Sequence, residues 1–227
     1  MKTPSSLDLG TGLVLTAVAG FVDAVGFLEL GGFFASFMSG ASITLGISAS
    51  EHEWGAFQHA GALVASFVVA ATIGSLLSEI RRPWGTPAVI ALEAICLSGA
   101  IVMVLRGWPS SAAVFPAVAA MGIQNTALHS INGVRLGVTF MTGTLVSLSR
   151  AIGSSILGHA RPFAWAPHAL VWCAFIAGAA AGALLHTDHG FVAFLVPTAT
   201  LWLLVIFTIV AGALGLHRHR RSSGQAG

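Results

Sequence analysis

Asp23, Glu93, Gln124 and Asn125 are the residues of this chain best placed to do chemistry, because each sits deep in apolar sequence. A charge or an amide in hydrocarbon is costly and needs a reason to be there. Asp23 lies about eleven residues into its apolar run, roughly 17 Å at the rise of an α-helix. That is near the midplane of a bilayer core about 30 Å thick. A carboxyl at that depth can take up and release a proton, and amides beside it can recognise a polar solute. Asp23 can also be structural, bonding backbone or capping a helix. Glu93, about eight residues into its run, reads three ways: a proton carrier, the partner of an Arg, or the support of a bend.

A repeated motif points to what could sit beside these groups. Ser36-Phe37-Met38-Ser39-Gly40 returns as Thr139-Phe140-Met141-Thr142-Gly143, each followed by small and apolar residues. Gly20-Phe21-Val22-Asp23 likewise matches Gly122-Ile123-Gln124-Asn125, one residue out of register with the motif spacing. Ser39 and Thr142 are good N-cap residues, and Gly40 and Gly143 allow close backbone approach. Short helices starting there would aim free N–H groups into the protein, which suits an anion or the electronegative edge of a polar solute. A duplicated polar break in a membrane chain is the sequence pointer to a transporter's solute site. The expected site is therefore Asp23, Ser39, Gly40, Gln124, Asn125, Thr142 and Gly143, with proton coupling through Asp23 and, second, Glu93.

The elements that would hold these residues follow from composition. The chain has 227 residues, 56% hydrophobic and only 8% charged, and its mean hydropathy is +0.87. Soluble domains are about 25% charged, so the chain reads as an integral membrane protein. A net charge of +2 with no basic face gives nucleic acid nothing to bind. Cys96 and Cys173 are too few for a disulfide framework and wrongly spaced for a metal site. Lys2, the apolar run from Leu9 and Ala17-Val18-Ala19 imitate a cleaved signal peptide. The match of Gly20–Asp23 to a block deep in the chain argues that this segment belongs to the fold.

Six stretches reach the length of a spanning helix: about 11–30, 55–79, 85–106, 111–131, 165–186 and 190–216. The motif segments, about 37–48 and 140–158, would enter and return or cross only partly. With six crossings and the N-terminus inside, Lys2, Arg81, Arg82, Arg135, Arg150, Arg161, Arg218, Arg220 and Arg221 face the cytoplasm and only Arg106 lies outside. Eight crossings would move Arg81, Arg82 and Arg135 outside. Because cytoplasmic loops collect Lys and Arg, six fits better. Trp54, Trp84, Trp108 and Trp165 fall at span ends, as interfacial indoles do.

The expected fold is thus all-α and polytopic, one membrane domain over 1–227. It has six spans, two short re-entrant segments and an inverted three-plus-three repeat, with copies at 11–107 and 111–216 and a flexible cytoplasmic tail at 217–227. Three spans per copy force the second copy to enter from the opposite side. Phe67–Leu77 and Phe175–Leu185 also match, placing Gly74 over Gly182; small residues there permit close helix packing and allow a homodimer. Glu29 is expected in solvent at the outer boundary. Arg150 is expected to snorkel, Arg135 to anchor the inner side, and His129 to be interfacial. His186-Thr187-Asp188-His189 reads as a polar loop, with no metal expected.

Four blocks carry a family resemblance: Gly20, Asp23 and Ala24; Phe34, Met38, Ser39 and Gly40; Met121, Gly122, Gln124 and Asn125; and Met141 to Thr144. In that order they resemble the YoaK-like family of small bacterial inner-membrane proteins, over nearly the whole chain. The resemblance implies six spans in the cytoplasmic membrane and no settled function. Two departures stand out. Where the family usually has Thr-Gly-Asn, this chain has Ser39-Gly40-Ala41, so an amide is missing. Where the family often has basic residues after the Gln-Asn block, this chain has His129 and Ser130.

The leading expectation is a small secondary transporter or channel for a polar or anionic solute, with the lipid bilayer as its other partner. The alternative is a non-transporting scaffold or sensor. An enzyme is not expected, since no Ser–His–Asp set, His-x-x-x-His or phosphate loop is present, and no cofactor is implied.

Overall fold

The computed structural model describes residues 6–29, 32–79, 85–127 and 141–223. Helix α1 spans Ser6–Glu29, α2 Met38–Glu51, α3 Trp54–Ser78, α4 Gly85–Leu105 and α5 Ser110–Ala127. Helix α6 spans Met141–Ile156 and α7 Ala166–His189; a 3-10 turn at Gly190–Phe194 then leads into α8, Leu195–Ser223. No strand occurs among the described residues. Among the described residues four stretches are long and apolar enough to cross a membrane: Leu9–Glu29, Trp54–Ser78, Gly85–Leu105 and Ala166–Ala213. The last, 48 residues long, contains α7, the 3-10 turn and most of α8. The outer surface is apolar: Val68, Val69, Ile73 and Leu76 of α3 and Leu203, Ile206, Phe207 and Val210 of α8 are exposed. Water would penalise each such side chain by about 1.5–3 kcal/mol relative to burial, whereas lipid does not.

Two helix pairs form the frame, and glycine sets their approach. Gly178 faces the Ala17 backbone, Gly20 the backbone of Phe175 and Ala179, and Gly182 the backbone of Phe21. A Cβ on any of the three would overlap main-chain atoms. Further along, Glu29 meets His186. Partners rise together in number, so α1 and α7 run parallel. The same holds for α3 and α5: Ser66 meets Phe115, Gly122 lies on Phe67 and Ala71, and Gly74 on Ile123 and Thr126. Helix α4 packs between α5 and α8. The main core cluster joins Leu15, Val18 and Val22 of α1 to Ile90, Ala94 and Leu97 of α4 and to Ala117 and Met121 of α5.

The α2 path follows from three ring contacts. Phe33, just past α1, stacks edge-on with His59 near the start of α3, and His59 with Phe115 near the start of α5. Phe37 instead meets Phe175, nine residues into α7, at 6.2 Å. The segment 32–37 therefore descends from the level where α3 and α5 begin to the middle of α7. There α2 starts, and it returns along α3, with Leu45 beside Gly61, to the turn at His52-Glu53. Helix α6 packs along α7.

Three expectations change. Helix α2 begins at Met38 with Phe37 as its N-cap and no side-chain capping bond. Ser39 therefore lies inside the first turn, and Thr142 is likewise the second residue of α6. The stretch His186–His189 is the last turn of α7, not a loop, because residues 171–189 continue one unbroken helix. Helix α8 runs on to Ser223, well into the stretch expected to be a flexible tail.

Candidate functional site

Asp23 is 2% exposed, and both of its oxygens are engaged by one residue. The Ser36 N–H donates to Oδ1 at 2.7 Å and the Ser36 hydroxyl donates to Oδ2 at 2.5 Å. Helix α1 thus carries a buried acceptor pair that fastens the descending segment just before α2. When the carboxyl is ionised, bonds of this kind are roughly twice as strong as neutral ones. The sequence motif contained Ser36, but its partner thirteen residues upstream lies across a loop, where helical spacing carries no signal.

The start of α2 is a helix N-terminus without a side-chain cap, seated beside the middle of α7 through Phe37 and Phe175. With no side-chain cap, the Met38 and Ser39 N–H groups remain donors, while the Gly40 N–H bonds back to the Phe37 carbonyl at 3.3 Å. Ser39 and Gly40 are exposed, and nothing stands within 4 Å of where a Gly40 Cβ would be. Met141, the first residue of α6, forms a buried cluster with Val171, and Phe37, Leu13 and Phe175 pack against it. The starts of α2 and α6 are thus gathered on one apolar cluster between α1 and α7. Thr142 and Gly143 are exposed on the first turn of α6. Thr144, one position further, is buried and its hydroxyl has no hydrogen-bond partner among the described residues. Its signal was present as the fourth residue of the Met-Thr-Gly-Thr block.

Gln124 sits apart from Asp23. Gln124 is wholly buried and its Nε2 donates to the Leu15 carbonyl at 2.5 Å. Leu15 is eight residues from Asp23, about 12 Å along the helix. The expected gathering of one carboxyl and two amides at a single depth is therefore not what the fold makes. Helices α1 and α5 touch with the late part of α5 against the early part of α1, which separates the residues that the sequence match aligns. Asn125 donates from Nδ2 to the Met121 carbonyl at 2.8 Å, and Gln124 Oε1 has no partner among the described residues.

Glu93 is 0% exposed on α4, and neither carboxyl oxygen has a hydrogen-bond partner among the described residues. An Arg partner, one of the three readings of Glu93, is not found among the described residues. Glu29, expected in solvent, instead meets His186 at 2.9 Å with both side chains largely buried; parallel packing of α1 and α7 brings their ends together. Arg150 is exposed on α6. Arg81, Arg82, Trp84, His129, Arg135 and the Thr139-Phe140 start of the second motif lie outside the described residues.

Among the described residues no three His, Cys, Asp or Glu side chains gather in a metal-holding group. One groove of about 400 Å³ opens between α3, α4 and α5, lined by Ala65, Val69, Ile73, Leu92, Cys96 and Ile123 among others. Its lining is apolar, and it contains none of the expected site residues.

Residues 11–208 match the model of a family described as protein of unknown function (DUF1275). A UPF0700 transmembrane protein of Rhizobium meliloti is 30% identical over 200 residues, covering 88% of this chain and 85% of the relative. No solved structure matches. The resemblance to the YoaK-like family is consistent with these matches.

Proposed function

The chain belongs to the DUF1275 family of membrane proteins, and we propose that it is a small secondary transporter for a polar or anionic solute. The carrying observation is the uncapped start of α2, held at the middle of α1 and α7 by the Asp23–Ser36 bonds and gathered with the start of α6. Free N–H groups and the positive end of a helix dipole there suit negative charge. Ser39 and Gly40 line that start, with Thr142, Gly143 and Thr144 on the opposing helix.

The proposed architecture has six crossings in the cytoplasmic membrane, both termini inside, and two inverted three-span copies. Paired contacts support the copies: Gly20 on Phe175 and Ala179 corresponds to Gly122 on Phe67 and Ala71, and Gly182 on Phe21 to Gly74 on Ile123. The return of α2 toward the level where α3 begins supports six crossings over eight. Proton coupling belongs to this reading, through Asp23 and Glu93.

A scaffold or sensor is the alternative, and it draws support from Asp23 being satisfied by Ser36 and Asn125 by Met121. A thermal-shift screen of the purified protein against inorganic phosphate, sulfate, short carboxylates and nucleobases separates the two, because a ligand stabilises the state that binds it. Transport expects at least one compound to raise Tm, to lose that effect in Gly40→Asp, and to enter proteoliposomes. If no member of the panel raises Tm, the scaffold reading stands instead. For a compound that does enter, Asp23→Asn is expected to abolish proton-driven uptake; unchanged uptake would remove Asp23 from coupling.

A further inference from the structure

Glu93 and Gln124 together hold an unmet need for a hydrogen. Both side chains are 0% exposed, and three of their oxygens (Glu93 Oε1 and Oε2, and Gln124 Oε1) have no donor among the described residues. Gln124 cannot turn its amide to help, because its Nε2 already donates to Leu15. The two residues share a level. Helices α4 and α5 join through the turn at Arg106–Pro109. Glu93 precedes Leu105 by as many residues as Gly122 follows Ser110, about 18 Å along each helix. Gln124 is half a turn beyond Gly122, and the neighbours of both residues (Ile90, Ala94, Ala117 and Met121) lie in one core cluster.

Among the described residues of the surrounding elements no charge answers Glu93. Helix α5 carries no titratable side chain, nor does the 3-10 turn, and α8 carries none before His217. Helix α3 offers only His59, which stacks between Phe33 and Phe115 near its start. Helix α4 itself adds only the Cys96 thiol, and the acids of α1 would repel. An ionised carboxylate buried without a partner is among the most costly arrangements a protein can hold. A metal ion would require a fuller shell of oxygens than these two residues supply, whereas a proton requires only one donor oxygen and one acceptor.

We infer that Glu93 binds a proton and that its O–H donates to Gln124 Oε1, so that α4, α5 and α1 are joined in one chain ending at the Leu15 carbonyl. Uptake of the proton converts the carboxylate to the neutral acid, and release severs the α4 end of the chain. This deepens the coupling half of the reading above by giving it a second, differently built proton site. It rests on the membrane setting and not on any solute being carried.

The test is infrared spectroscopy of the full chain in liposomes at neutral pH, with no solute added. The wild-type protein is expected to show the carbonyl stretch of a protonated carboxylic acid that shifts in heavy water and is missing in Glu93→Gln. Gln124→Leu, which removes the acceptor, is expected to move that band to the frequency of a free acid. Loss of a carboxylate band in Glu93→Gln, or an acid band that Gln124→Leu leaves in place, would overturn the proposal. Should Glu93→Gln fail to fold, the Gln124→Leu spectrum decides alone. Because this readout needs no transport, its failure is distinct from failure of the transporter reading.

Discussion

Helices α1 and α4 each bury one acid, and the two acids are treated in opposite ways. Asp23 receives two donors from Ser36 and so fastens a segment in place, while Glu93 receives none. Burial alone therefore does not say what an intramembrane acid does; the donors around it decide. A carboxylate with two donors anchors them while it is ionised, and its removal strands them, whereas an orphaned one needs a hydrogen from elsewhere.

Substitutions can break or sharpen this contrast. The largest effect is expected where the frame holding both acids is forced apart. Gly178→Val drives a branched side chain into the Ala17 backbone, with an expected loss of about 3 kcal/mol or more. Detergent-solubilised protein should then aggregate, as seen by size-exclusion fluorescence. If it folded normally, the close α1–α7 approach would be wrong. Next comes the anchor. Asp23→Leu leaves the Ser36 N–H and hydroxyl without acceptors, at about 2–5 kcal/mol, and Ser36→Ala removes one of the two bonds, at about 1–2 kcal/mol. Thermal unfolding in detergent should rank the pair in that order, and an unstable Ser36→Ala with a stable Asp23→Leu would reverse the argument. Smaller still is Glu93→Gln, which keeps shape and neutrality and should change stability by less than about 1 kcal/mol. A collapse there as severe as that of Asp23→Leu would erase the distinction between the two acids. The smallest change is expected from Gly40→Ala, since the added Cβ meets open space. Helix propensity even favours alanine there, by about 1 kcal/mol or less.

Much of the architecture was legible because it is written in local pattern. The apolar runs foretold α1, α3, α4, α7 and α8 to within a few residues at most ends, and the motif segments foretold α2 and α6 as shorter helices. Gly74 and Gly182, matched by sequence, do sit at close helix contacts, because only a missing Cβ permits that approach. What stayed hidden depends on contacts between distant elements. Ser36 reaches Asp23 across a loop, Glu29 finds His186 through parallel packing, and Gln124 turns toward Leu15 rather than toward Asp23. Asp23 and Asn125 aligned well as letters, yet matched positions on helices running in opposed senses need not share a depth. The N-cap moved by two residues from Ser39 because the descending backbone at Phe37, held by the Asp23–Ser36 bonds one residue earlier, sets where the helix begins.

The central claim is that the starts of the two motif helices meet on one cluster between α1 and α7. It is tested most directly by cross-linking in native membranes, using a chain whose Cys96 and Cys173 have been replaced. Phe37→Cys paired with Met141→Cys is expected to link within one chain through a short bifunctional thiol reagent, as readily as a control pair at Glu29 and His186. If the control pair links and the Phe37–Met141 pair does not, the two helix starts lie apart and the account is contradicted.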